Sequence, residues 1–125
     1  MVQEIQKKNV LVVDDQQYIR TLLKDNLEYD HFKAHCTSRG TDALACLGEF
    51  KPDLAIVDIG LPDMSGWEVC EALRKACPGI EIIVLSAKEP GSAQAEMKQL
   101  GLRHFVAKPY DPIALSDLVK QLLQP

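Results

Sequence analysis

The stretch Leu54-Ala55-Ile56-Val57-Asp58-Ile59-Gly60-Leu61-Pro62-Asp63-Met64-Ser65-Gly66 decides how the rest of the chain reads. A short apolar run ends in one acidic residue and is followed at once by a turn-forming segment. Runs of this length and β-branched character read as fully buried strands of a parallel sheet. Three more follow the same plan. Asn9-Val10-Leu11-Val12-Val13 ends in Asp14-Asp15, Ile82-Ile83-Val84-Leu85 ends in Ser86, and Phe105-Val106-Ala107 ends in Lys108-Pro109. In such sheets ligands bind beyond the carboxyl ends of the strands. Three carboxylates, a hydroxyl and an ammonium should therefore meet at one edge. That set suits a hard divalent cation and a phosphoryl group.

Helical patterns fill the intervals. Ile19, Leu22, Leu23 and Leu27 share one face after Asp15. Phe32, Ala34 and Cys36 alternate in a shorter, more polar run that reads as an edge strand. Ser38 can cap a helix carrying Ala43, Leu44 and Leu47, which Gly48 helps to end. Ser65 can cap a helix with Val69, Cys70, Leu73 and Cys77 inward, stopped by Pro78-Gly79. Pro90-Gly91 breaks the chain, and Ser92 then caps a helix with Ala93, Met97 and Leu100 on one side, ended by Gly101. Asp111-Pro112 is an N-cap followed by proline at the first helical position. Leu115, Leu118, Val119 and Leu122 form the last inner face. Five strands alternating with five helices, joined by right-handed crossovers, make a doubly wound α/β three-layer sandwich. The edge character of the second strand predicts a parallel sheet of order 2-1-3-4-5, the flavodoxin-like arrangement, with a ligand at the switch between strands 1 and 3. The first eight residues are expected to be a weakly packed end.

The bulk numbers agree with one domain over residues 1–125. The chain has 125 residues, 46% hydrophobic and 26% charged, with a formal net charge of −4. No basic block exists, so a nucleic-acid surface is not expected within the chain. No apolar stretch approaches membrane-spanning length, and the start lacks the parts of a signal peptide, so no membrane role is expected. Cys36, Cys46, Cys70 and Cys77 form no Cys-x-x-Cys pair and have no histidine at zinc-finger spacing. They read as reduced, mostly buried thiols of a cytoplasmic protein. His31, His35 and His104 lack mutual ligand spacing, and Trp67 reads as a packing residue.

Taken singly, each polar residue has a plainer explanation. An Asp-Asp pair after a strand is usually a helix cap and a turn. A lone Asp58 is more often solvated, Ser86 more often a turn residue, and Lys108 more often a surface charge. All four being ordinary becomes improbable once each ends its own buried strand. Carboxylates about 5 Å apart repel by about 3 kcal/mol at an effective dielectric near 20, so three of them need a counter-ion beyond Lys108. Mg²⁺, with Mn²⁺ as the alternative, suits oxygen ligands and accepts phosphate oxygens.

From about Lys8 to Leu123 the chain resembles the receiver domain of two-component response regulators. The motifs are Leu11-Val12-Val13-Asp14-Asp15, Asp58-x-x-Leu61-Pro62-Asp63-Met64-x-Gly66, Ser86-Ala87 and Lys108-Pro109. The resemblance implies that Asp58 is the phosphoacceptor. It implies that Asp15 ligates Mg²⁺ directly, Asp14 largely through water, and the Gly60 backbone carbonyl also. Ser86 would hydrogen-bond one phosphoryl oxygen and Lys108 would pair with another. The Lys108-Pro109 peptide would be cis, and Phe105 would be the switch aromatic, acting with Ser86. Gly60 and Lys88 would be the variable positions that tune phosphoryl lifetime. The implied partners are a sensor histidine kinase or histidine phosphotransfer protein, an output domain or downstream protein, and a second copy in a phosphorylation-linked homodimer. The resemblance makes the chain a switch that promotes only its own phosphoryl transfer and dephosphorylation, not an enzyme acting on other substrates.

Other functions fit less well. A phosphatase of the haloacid dehalogenase type uses the same ingredients, but its nucleophile lies on the first strand in an Asp-x-Asp motif. Here that strand ends in adjacent Asp14-Asp15. A flavin carrier needs a hydroxyl- and glycine-rich phosphate loop after strand 1, where Asp14-Asp15-Gln16-Gln17 would repel a phosphate. A receiver-like binding module that is never phosphorylated has no need of Asp58, Ser86 and Lys108 together.

Overall fold

The structure is a computed structural model that describes residues 7–87 and 90–124, without the side chains of residues 90 and 92. Expectations for residues 1–6 and for Lys88 lie outside the described residues. The elements alternate as β1 (Asn9–Val13), α1 (Gln17–Tyr29), β2 (Lys33–Thr37), α2 (Gly40–Ala45), β3 (Leu54–Asp58), α3 (Gly66–Ala76), β4 (Glu81–Ser86), α4 (Pro90–Leu100), β5 (His104–Ala107) and α5 (Pro112–Leu123). A 3-10 turn, Cys46–Gly48, follows α2. All strand pairs are parallel and the order is β2-β1-β3-β4-β5, as expected.

Successive strand residues point to opposite faces. This divides the core in two. Val10, Val12, Leu54, Ile56, Ile83 and Leu85 pack with α1 and α5. Leu11, Val13, Ala55, Val57, Ile82 and Val84 pack with α2, α3 and the α4 side of the molecule. The central strands β1 and β3 are covered on both faces and almost entirely excluded from water. That explains their unbroken apolar sequences. Edge strand β2 shows exposed Lys33 and His35 alternating with half-buried Ala34 and Cys36.

Local sequence signals hold in part. Ser65 Oγ accepts from Trp67 N–H at 3.2 Å, and Asp111 Oδ1 accepts from Ile113 N–H at 2.9 Å, so both expected caps form. Ser38 does not cap α2. That helix starts at Gly40, with Arg39 at the cap position and no side-chain cap bond of its own. Its first amides are bonded from elsewhere, by Asp63. Helix α4 begins at Pro90, not after Ser92. Proline is tolerated in a first turn because the N–H it lacks has no intrahelical partner there. On α1, Ile19, Leu23 and Leu27 are buried, but Leu22 is 40% exposed. The i, i+4, i+8 stripe is narrow, and Leu22 falls at its margin. Helix α3 ends at Ala76, so Cys77 is its C-cap and not part of the inner face. Only Cys70 of the four free cysteines is buried, and burial pushes its thiol up to about 12; the other three are half-buried. Among the described residues no helix is long and apolar enough to cross a membrane.

Helix α1 ends on a left-handed residue that is not glycine. His31 has φ 69°. Its N–H donates to Glu28 O at 3.0 Å, and Phe32 N–H donates to Leu27 O at 3.0 Å. This is the paired-bond helix end that favours glycine, completed by Phe32 packing into the same cluster as Leu27. The Cβ of His31 is strained there. The substitution His31→Gly is expected to stabilise the protein by about 0.5–1 kcal/mol, the strain relief exceeding glycine's larger unfolded-state entropy. Urea unfolding checks it; a less stable variant would show that the imidazole makes a compensating contact.

Candidate functional site

The carboxyl ends of β1 and β3 deliver the acidic groups. Asp14 is fully buried, Asp58 nearly so, and Asp15 lies at the surface. Each offers one carboxylate oxygen to a cluster whose members all lie within 4.8 Å of one another. Asp58 is held from two sides. Its Oδ1 accepts from Gly60 N–H at 3.0 Å, and its Oδ2 accepts from Lys108 Nζ at 2.7 Å. Asp14 Oδ1 accepts from Gln16 N–H at 2.9 Å. Asp14 Oδ2 is buried with no hydrogen-bond partner, and the nearest cation, Lys108 Nζ, is 3.9 Å away.

The fold places Lys108 through the backbone. Lys108 N–H donates to Ser86 O at 2.8 Å, so the chain leaving β5 is tied to the end of β4. The following Lys108-Pro109 bond is cis. Ser86 is buried opposite Ala107 in the sheet. Burial opposes charge on Lys108, but its hydrogen bond to Asp58 and the charges of Asp58, Asp14 and Asp15 outweigh that and raise its pKa. Asp14 is pushed above the ordinary carboxylate value, first by burial and then by the neighbouring Asp58 and Asp15 charges. The Gln16 N–H and Lys108 oppose the shift without reversing it.

The loop from Ile59 to Ser65 forms one wall of an open cleft of about 700 Å³. Asp58, Gly60, Ser86 and Lys108 line its polar side, while Met64 and Trp67 line an apolar one. Trp67 thus packs against the core and also faces the cleft. Gly66 closes the loop. Its N–H donates to Ile59 O at 3.0 Å, and a Cβ built there would stand 2.5 Å from both Asp58 O and Ile59 Cα. No side chain fits without displacing the backbone that carries Asp58. A Cβ on Gly60, by contrast, would meet Asp58 Oδ1 at an ordinary 3.8 Å.

Asp14, Asp15, Asp58, Gly60, Ser86 and Lys108 therefore converge on one edge. Phe105 stands apart from them. It is half-buried on β5, packs with the α2–α4 side of the core, and lines a groove with Gly91, Gln94 and Met97. His31 and His35 are exposed, the latter with its ring 5.3 Å from that of Phe50, and His104 bonds Glu81 at 3.2 Å. Two neighbours of the site have surroundings that the local sequence does not announce, although Asp63 belongs to the motif after β3. Tyr110 has a buried hydroxyl without a hydrogen-bond partner; burial, then the charges of Asp14 and Asp58, raise its pKa. Asp63 lies in a turn where an acidic residue looks merely solvated, yet it bonds α2 across the fold. Only the spatial proximity of distant segments reveals either role.

Residues 10–120 match the family of the response regulator receiver domain. The alkaline phosphatase synthesis transcriptional regulatory protein PhoP of Bacillus subtilis (strain 168) is 36% identical over 117 residues, which are 94% of this chain and 49% of that protein. The chain thus spans about half the length of this curated relative. A CheY-like response regulator receiver domain protein from Methanospirillum hungatei JF-1 superposes with a TM-score of 0.87 at 28% identity, over 94% of each chain. The response regulator DrrB of Thermotoga maritima, an OmpR/PhoB homolog, gives 0.86 at 25% identity, over 95% of this chain and 54% of that one. The match begins in β1 and ends in α5, so it touches every element of the sheet and both helical layers: the chain belongs to the receiver-domain family of two-component response regulators.

Proposed function

We propose that this chain is a phosphoacceptor signalling switch whose Asp58 takes a phosphoryl group from a sensor histidine kinase or histidine phosphotransfer protein. One observation carries the reading. Asp58 faces an open cleft with each oxygen already oriented, Oδ1 by Gly60 N–H at 3.0 Å and Oδ2 by Lys108 Nζ at 2.7 Å. A carboxylate oxygen of Asp58 attacks the donor phosphorus, the bond from phosphorus to the donor atom breaks, and that atom leaves with the electron pair. The product is an acyl phosphate on Asp58. Lys108 is placed to follow the negative charge from the carboxylate to a phosphoryl oxygen. Ser86 supplies a hydroxyl for another of those oxygens. The cleft is open to water, which suits a switch that also loses its phosphoryl group.

The donor set fits Mg²⁺, or Mn²⁺ in its place. All the candidate ligands are hard oxygens, and Asp14 Oδ2, buried beside Asp15 and Asp58 without a hydrogen-bond donor, calls for a cation. Asp14, Asp15, Asp58 and the Gly60 carbonyl are the groups that would hold it. When bound, the ion supplies the positive charge that the carboxylates lack and accepts phosphate oxygens.

Signalling then needs a two-state element. A phosphoryl group adds charge and strong acceptors near Ser86, at the end of β4. Ser86 drawn towards it makes room for Phe105 to turn further inward. Phe105 is already half-buried, so the remaining gain is below the about 1.5–3 kcal/mol of a full burial. A shift of that size still moves a population between two arrangements of α4, β5 and α5. That surface would address an output domain, a downstream protein or a second copy of the chain, in the cytoplasm.

Two outcomes are expected. A small acyl-phosphate donor with Mg²⁺ should label the wild type, and labelling should fall to background in Asp58→Asn or in excess chelator. Lys108→Ala should slow it by about 10²–10³-fold, as for other preorganised charges. Equal labelling of Asp58→Asn would rule out the assigned acceptor. The second outcome concerns stability. Asp14 has a folded pKa above its ordinary 3.8, so the folded state binds its proton more tightly than the unfolded state. Its ionised form is therefore destabilising above the folded pKa, and this penalty disappears as pH falls through that pKa towards 3.8. In chelator at pH 7, Asp14→Asn should be more stable than wild type by about 0.5–2 kcal/mol. The gap should narrow on acidification, and urea melts across pH check both the sign and the trend.

A further inference from the structure

We propose that Asp63 is a positioning residue of the metal site, holding the Gly60 loop in register by clamping it to the first amides of α2. The inference rests on the phosphoacceptor reading. Asp63 Oδ1 accepts from Gly40 N–H and Oδ2 from Thr41 N–H, each at 2.9 Å. The amides at a helix start have no intrahelical partner, and α2 has no cap of its own, so this carboxylate takes the role across 22 or 23 residues of sequence. The contact beside it is close. A Cβ on Gly40 would stand 2.5 Å from Met64 Cγ and 2.8 Å from Val69 Cγ2, so α2 lies directly against the loop.

The loop is thus fixed at two places. Gly66 locks its far end onto the backbone of Asp58, and Asp63 locks its middle onto α2. Between Asp58 and Asp63 sits Gly60, whose N–H orients Asp58 and whose carbonyl is the backbone group assigned to the metal. Glycine imposes little conformational restraint of its own, so the direction of that carbonyl must be set by its neighbours. Asp63 is exposed, yet its two amide bonds, led by that from Thr41, hold its pKa at about 2, so the clamp stays ionised through the working range of pH.

The test measures Mg²⁺ affinity by calorimetric titration and by the fluorescence of Trp67, the single tryptophan, which lines the same cleft. Asp63→Ala is expected to weaken Mg²⁺ binding about tenfold, as loss of a ligand-orienting contact does, with phosphorylation at saturating Mg²⁺ nearly unchanged. Asp63→Asn keeps one acceptor oxygen and should fall between, and it decides the matter if the alanine variant does not fold. Leu118→Ala, which loosens α5 on the opposite face, should leave affinity alone. In the wild type, Mg²⁺ should shift the Gly40 and Thr41 amide resonances, and in Asp63→Asn that response should shrink. Wild-type affinity in both Asp63 variants, or equal weakening in Leu118→Ala, overturns the positioning role while leaving the phosphoacceptor reading intact. A wild type that binds no Mg²⁺ overturns both.

Discussion

Three carboxylates whose oxygens stand within 4.8 Å of one another are the constraint on which the rest of this structure depends. Each pair repels by about 3 kcal/mol at an effective dielectric near 20, and one of the three groups is cut off from water. Lys108 offsets part of this, chiefly at Asp58. The remainder is a local instability that the chain keeps at the point where charge is needed. Such conflicts between stability and local chemistry mark functional sites.

A scaffold able to hold that cluster must resist opening at the strand ends. The sheet does so because β1 and β3 are central and buried on both faces. Asp14 and Asp58 leave strands whose registers are set by direct pairing, Val13 opposite Val57. Lys108 arrives on β5, two strands from β3, and is fixed by its amide bond to Ser86 O. The acidic groups therefore lie at the ends of the central, doubly covered strands, and the ammonium that answers them follows an edge strand. The edge also carries Phe105 and the groove beside α4. The acidic cluster and this groove are thus separated along the sheet, with β4 and Ser86 lying between them.

The loop after β3 follows the same division. Gly66 is required because backbone occupies the space a side chain would need, whereas Gly60 has room for one. The first glycine is structural, and the second leaves the cleft open above Asp58. Helix α2 is short, and its start is bonded by Asp63 rather than by a residue of its own. Its placement therefore belongs to the site loop as much as to the core beneath it.

How much could be read before folding follows from the range of each interaction. Strand identity, the 2-1-3-4-5 order and the convergence of Asp14, Asp15, Asp58, Ser86 and Lys108 follow from apolar period and from the parallel sheet's rule that strand ends face one way. These are local patterns joined by one global rule. Caps at Ser65 and Asp111 were readable too, because a capping side chain bonds an amide two residues on. Ser38 and Ser92 carried the same signal but did not become cap positions. At α2, Asp63 already occupied the amides. At α4, proline had started the helix two residues earlier. Leu22 looked like Leu23 by composition, but it lies at the margin of the buried Ile19, Leu23 and Leu27 stripe and is left 40% exposed. The orphaned oxygens of Asp14 and Tyr110 and the Asp63 clamp depend on which distant atoms are brought near and on how much water is excluded there. Burial and contact at that range exist only after the layers have packed, so no periodicity in the chain could encode them.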